Sequence, residues 1–246
     1  SLMRWRSDDP ARLWRISRIT LAISVVIGLL APVLIFGMEG IFVFPGIAAA
    51  VWITSGVVQS LRTASGGDWR RLTKLPQQVY AMNVAHLGMA VFAVGVTLVN
   101  AFEIEKDVRM AYGEPLEIGN QTFILETVEQ IQGPNYVANR GSVKVLQGES
   151  EITTLMPEKR TYRVQQNPMT EAAIDPGLTR DIYVALGEPL SNNAWSMRVY
   201  YKPFIRWIWL GAILMALGGL LAVTDKRYRR SVKAAEVSAT DGQAAA

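Results

Sequence analysis

Cysteine is absent from this chain of 246 residues, and histidine occurs once. Without thiols the chain supplies no disulfide, no thiolate metal site and no cysteine nucleophile. A lone imidazole also excludes a self-contained histidine-rich metal cluster. Half of the residues are hydrophobic, yet 19% are Asp, Glu, Lys or Arg, so charge must be missing from some stretches and concentrated in others. Such segregation points to a membrane protein that carries a water-facing domain.

Four stretches contain no charged residue: Ile19 to Met38, Gly40 to Leu61, Leu75 to Phe102 and Trp207 to Thr224. A hydrocarbon layer of ~30 Å needs about 20 helical residues, with a working range of roughly 17 to 25. Four transmembrane helices are therefore expected, at about residues 19–38, 40–61, 78–101 and 204–225. The first is too long for a cleavable signal peptide, runs directly into a second apolar stretch and lacks a convincing small-residue cleavage site. Pro32 and Pro45 lie within or at the ends of the first two runs, where neighbouring helices can re-satisfy the freed carbonyls.

The basic residues fix an expected orientation. Arg4, Arg6, Arg12, Arg15 and Arg18 precede the first run; Arg62, Arg70, Arg71 and Lys74 join the second to the third; Lys226, Arg227, Arg229, Arg230 and Lys233 follow the fourth. The turn "GMEG" between the first two carries only Glu39. By the positive-inside rule the basic flanks and both chain ends are cytoplasmic, in a multi-pass membrane protein. The pI near 9.4 thus reflects orientation, and no nucleic-acid partner is implied. Within the basic tail, residues 226–246, the closing "EVSATDGQAAA" is small and polar and reads as disordered.

This topology places residues 103–203 outside, which is the periplasm if the cell is a Gram-negative bacterium. From Glu103 to Arg206 there are 14 acidic and 11 basic residues, the reverse of the flanks. The segments "PLEIGNQTFILETVEQI", "NYVANRGSVKVLQ", "EITTLMPEKRTYRV", "RDIYVALG" and "WSMRVYYKP" are rich in β-branched and aromatic residues and separated by turn formers. The expected fold is thus an α-helical integral membrane protein into which a small antiparallel β domain, a sheet or barrel, is inserted.

The histidine, His86, lies in "NVAHLGMAV" within the third run. Ionisable groups inside a span are costly and usually face a bundle interior, serving in ligation, proton relay or hydrogen bonding. Three readings stay open: a haem ligand, a hydrogen bond to a neighbouring helix, and a proton path with Asn83. No carboxylate lies within the runs to receive a proton, which argues against a pump. Met82 and Met89, at i−4 and i+3, share the His86 face, so neither can take the opposite side of an iron that His86 binds. Gly88 and Ala85 are small enough to admit a macrocycle or a helix. In the last run, Gly211, Ala212, Ala216, Gly218 and Gly219 read as helix packing. No spacing of a nucleophile, an acid–base pair or a phosphate loop occurs, so no catalytic residue is nominated.

The runs "MPEKRTYRVQQNPMTEAAIDPGLTRDIYVALGE" and "WSMRVYYKPFIRWIWLGAILMALGGLLAVTDKRYR" resemble the carboxy-terminal part of the CcmF family, the haem lyase subunit of bacterial cytochrome c maturation, and "NVAHLGMAV" falls where that family carries a membrane histidine. The resemblance extends from about Arg4 to Lys233. The family's tryptophan-rich segment, second membrane histidine and two external histidines have no counterpart, so a fragment or one piece of a split protein is expected. The resemblance implies transfer of haem from the chaperone CcmE to the two thiols of a CXXCH motif on apocytochrome c. The haem iron must be reduced for this handover, and a permanent b-type haem sits between two membrane histidines. His86 matches one of those axial ligands, with its partner on the remaining amino-terminal part of the lyase.

The implied partners are that part, CcmE, apocytochrome c, thiol-handling proteins such as CcmH, and membrane lipid. Arg180 and Arg198 can bind carboxylates such as haem propionates, or the charges of "NPMTEAAIDPGLTRD" can simply pair with one another on a loop. Trp207, with Trp209, Tyr200 and Tyr201, reads as an aromatic belt that can also stack on a porphyrin. The competing class of function is a cofactor-free, membrane-anchored assembly module whose external domain recruits a partner.

Overall fold

The computed structural model describes residues 10–164 and 166–225; the basic tail from Lys226 and the arginines at 4 and 6 lie outside that range. Contacts divide the chain into a helical unit, residues 1–97 with 207–246, and a second unit, Leu98–Arg206.

Four α-helices are described: α1 (Pro10–Phe36), α2 (Phe44–Ser65), α3 (Gln77–Phe102) and α4 (Ile205–Val223). Three helical stretches are long and apolar enough to cross a membrane: Ser17–Ser65, Gln77–Phe102 and Ile205–Val223. Within the first, a 3-10 segment at Gly37–Val43 carries the "GMEG" turn and reverses the chain, so that Gly28 meets Ala48 and Gly40 lies against the Pro32 carbonyl. Pro45 stands in the first turn of α2, where its missing N–H costs nothing. α2 ends at Gly66, whose φ of 64° makes the left-handed cap that lets Gly67 N–H reach the Arg62 carbonyl at 2.9 Å. A second 3-10 segment, Trp69–Lys74, is capped by Asp68 and leads into α3, where the Tyr80 hydroxyl donates to the Leu72 carbonyl.

Helices α3 and α4 meet along small residues. A methyl built on Gly88 would sit 2.7 Å from the Gly211 carbonyl oxygen, and one on Gly218 would sit 2.7 Å from the Ala81 carbonyl oxygen. Backbones approach this closely only where side chains are missing. Gly219 faces open space, so only part of the expected small-residue set builds the seam.

Among its described residues the second unit holds ten strands: β1 (Ile104–Ala111), β2 (Pro115–Ile118), β3 (Gln121–Gln132), β4 (Tyr136–Gln147), β5 (Ser150–Leu155), β6 (Glu158–Tyr162), β7 (Pro168–Glu171), β8 (Ala173–Pro176), β9 (Arg180–Leu190) and β10 (Ala194–Pro203). All named strand pairs are antiparallel. They form two sheets, β1-β10-β9-β8 and β2-β3-β4-β6-β7, with β5 on β4. Inward residues alternate along the strands, and Met110, Ile182, Leu186 and Met197 of the first sheet share a core with Phe123, Leu125, Val143 and Val145 of the second. The domain is therefore a sandwich and not a single sheet or barrel. Lys202 at its exit pairs with Glu103 at its entry at 2.6 Å, and the exit is also held to the start of β9, by Arg206 3.2 Å from the buried Asp181 and by Phe204 N–H, which donates to the Thr179 carbonyl at 2.9 Å.

Candidate functional site

α3 places the histidine. His86 Nδ1 lies 2.7 Å from the Met82 carbonyl oxygen. A carbonyl only accepts, so Nδ1 must carry the proton, and the neutral ring then has its lone pair on Nε2. Fixing one ring nitrogen by a backbone hydrogen bond while the other is offered outward is the arrangement that orients a ligating histidine. The side chain is exposed, as are its neighbours Leu87 and Met89. Two residues along a helix are about 200° of rotation, so His86 points away from Gly88, which is buried against α4.

Gly88 and Ala85 belong to the α3–α4 contact, with Ala85 Cβ 2.8 Å from a methyl built on Gly218. That contact accounts for their small size, and the space for a macrocycle read from them is taken by a helix. Among the described residues no group of three His, Asp or Glu side chains can hold a metal ion. The imidazole therefore offers one bond. This suits one axial position of a haem whose other ligand comes from elsewhere.

The other residues singled out from sequence do not converge. Arg180 pairs with Asp175. Arg198 makes a two-pronged contact with Asp107, at 2.6 and 2.9 Å, and approaches Glu105 at 3.7 Å. That hydrogen bond holds the Asp107 carboxyl below its usual range. Arg180 stands opposite Pro203 and Arg198 opposite Ala185 in the β9–β10 register, five residues apart, or roughly 17 Å. Of the charges in "NPMTEAAIDPGLTRD" only Asp175 and Arg180 pair with one another; Glu171 lies 3.3 Å from Arg160 and Asp181 3.2 Å from Arg206, both outside the run. Tyr200 stacks edge-on with Tyr183 and lies under Lys202, and Tyr201 packs against the sandwich core. Trp207 is half-buried and Trp209 is 71% exposed, both on α4.

Two features escaped sequence reasoning. On β4 and β6, Glu158 is 6% exposed and is clasped by Arg140 at 2.6 Å and Arg160 at 2.7 Å, with Arg160 also over the Tyr136 ring at 4.6 Å. Burial alone would raise the Glu158 carboxyl, but hydrogen bonds from Arg160 and Arg140 outweigh it and hold the group below its ordinary value. The alternation Glu158, Arg160, Tyr162 in "PEKRTY" puts these side chains on one strand face and was the available signal. The second feature is a groove of about 650 Å³ bounded by α1, α2 and α3.

Comparison with known proteins matches residues 101–203 to the family described as "CcmF C-terminal beta-sandwich". A cytochrome c-type biogenesis protein CcmF of Pseudomonas aeruginosa is 42% identical over 94% of this chain and 36% of its own length. The CcmF of Escherichia coli K12 is 40% identical over 94% of this chain and 35% of its own. A solved structure titled "Cytochrome c Heme Lyase CcmF" has the same fold, with a TM-score of 0.72, 14% identity, and coverage of 90% of this chain and 36% of that one. The chain spans about a third of the length of the curated relatives it matches. With matches on this scale to both the sandwich and the flanking helices, the chain belongs to the CcmF family of cytochrome c-type biogenesis proteins.

Proposed function

We propose that this chain acts as part of a cytochrome c haem lyase, which transfers haem from the chaperone CcmE to the CXXCH thiols of apocytochrome c. In this reading His86 supplies one axial ligand of a b-type haem through Nε2, and the sandwich is a periplasmic docking domain for partners such as CcmH. The observation that carries the proposal is the Nδ1 hydrogen bond to the Met82 carbonyl, which sets the tautomer and leaves Nε2 on the open face of α3. Bound there, haem supplies one-electron redox chemistry. The chain's own contribution is to hold the ring in one orientation, with Nδ1–H directed at the Met82 carbonyl. Arg180, Arg198 and Trp207 would be secondary contacts, for haem or for a partner, and the two arginines would have to exchange their present carboxylates to serve.

His86→Ala in the complete protein, assembled with the rest of the lyase, is the test. Haem content should fall severalfold, and exogenous imidazole should partly restore it by filling the vacated position. A histidine kept for helix packing would leave haem content and cytochrome c production normal, and the bundle about 1 kcal/mol less stable.

The same reading has four membrane crossings, with α1 and α2 as separate spans and both chain ends in the cytoplasm. Reporter fusions near Gly66 should report cytoplasm, and one near Gly148 the periplasm. A cytoplasmic Gly148 fusion would overturn the orientation and with it the docking role.

A further inference from the structure

The groove bounded by α1, α2 and α3 differs in kind from the α3–α4 seam. Its walls are branched side chains, including Ile23 and Ile27 of α1 and Val51 and Val58 of α2. The seam is built instead on Gly88, Gly95, Gly211 and Gly218. Small residues let a helix come close, and bulky branched ones hold it off.

The polar groups in the groove are just as informative. Thr54 and Ser55 spend their hydroxyl protons on the carbonyls of Ala50 and Trp52, at 2.8 and 2.7 Å. The middle of the groove is thus effectively apolar. At one end stands Arg62, which among the described residues pairs with no carboxylate and lies 5.8 Å over the Trp69 ring. One turn before it, Gln59 Oε1 is buried with no hydrogen-bond partner. From Ile47 to Arg62 the groove follows α2 for about 22 Å, most of the ~30 Å hydrocarbon layer.

A long apolar slot with one cation at its end describes an amphiphile. We propose that the groove holds an acyl chain of an anionic phospholipid whose phosphate meets Arg62. Phosphatidylglycerol has that net charge, which the ammonium of phosphatidylethanolamine cancels. Arg70 and Lys74, on the connection that follows α2, add positive charge in the same segment. The inference needs only that these helices cross a membrane, and it stands apart from the haem proposal.

The test is native mass spectrometry of the full chain released from nanodiscs of equal phosphatidylglycerol and phosphatidylethanolamine. A phosphatidylglycerol adduct should survive release in preference to phosphatidylethanolamine. Arg62→Gln should lower that adduct about fivefold, the worth of one cation at a headgroup. Arg71→Gln, at a residue outside the groove that already pairs with Asp68 at 3.5 Å, should leave it unchanged. Val51→Trp, which fills the slot, should remove either lipid, while circular dichroism on Arg62→Gln verifies that the helices persist. Equal retention of the two lipids, an equal loss in Arg71→Gln, a lipid-free dimer or an adduct of some other mass would each overturn the proposal.

Discussion

In the sandwich, Phe123, Leu125, Val143, Val145 and Leu186 are wholly covered, whereas in the helices Leu34 is 83% exposed and Leu220 63%. Of the most apolar windows, 17% of residues are buried in the α1–α2 stretch, 33% in α3 and 11% in α4. Since burial of apolar surface from water is the main favourable term in folding, the sandwich closes on itself and the helices do not. Their apolar side chains face outward, toward lipid or further helices. His86 and the branched groove both belong to that outward surface, while Arg180 and Arg198 of the sandwich are already paired.

The contrast predicts unequal sensitivity. The segment 98–206 expressed alone should be soluble and β-rich, and should unfold cooperatively. Within it Phe123→Ala should cost about 3–5 kcal/mol by chemical denaturation, for lost transfer energy plus the cavity. Leu34→Ala in the full chain should change stability by less than about 0.5 kcal/mol, because a side chain already exposed leaves no cavity. A small cost at Phe123, or an insoluble or helical segment, would break the comparison.

A smaller effect is expected at Glu158. Replacing it with Gln leaves Arg140 and Arg160 facing a neutral amide, at about 2 kcal/mol, discounted because both guanidinium groups are partly hydrated. Its carboxyl lies below the ordinary value in the folded state. The stabilisation is therefore fully present above the unfolded value of about 4.3 and is lost as pH falls through the folded value. Denaturation of wild type and Glu158→Gln should differ most near neutrality and converge in acid. A gap that widened as pH fell would mean that the pairing had been misjudged.

Some of this was legible in the sequence and some was not, for physical reasons. Uncharged runs mark what lipid accepts, but helices end where caps and turns end them. Thus α1 begins at Pro10, among arginines, and α2 continues past Arg62 to its glycine cap. Alternation marked the long strands. The short β7 and β8 hide in a run read as a loop, because they are four-residue edge strands, each paired on one side only, with the adjacent β6 and β9. Which sheet each strand joins depends on long-range pairing such as that of β1 with β10, so a sandwich could not be told from a barrel. His86 stood out as the one histidine, set in a run without Asp, Glu, Lys or Arg, yet its direction depended on which face α4 occupies. The partners of Arg180 and Arg198 were likewise set by register.

The central claim, that His86 binds haem iron, is tested most directly by exchanging the ligand and keeping the haem. His86→Met in the complete assembled lyase retains a side chain able to bind iron, and thioether ligation raises the reduction potential relative to a second imidazole. Potentiometric titration of the haem absorption band should show a clear upward shift in His86→Met, with haem still bound. An unchanged potential at full haem content would contradict the account, because a histidine that only packs or hydrogen-bonds leaves the iron's ligands as they were.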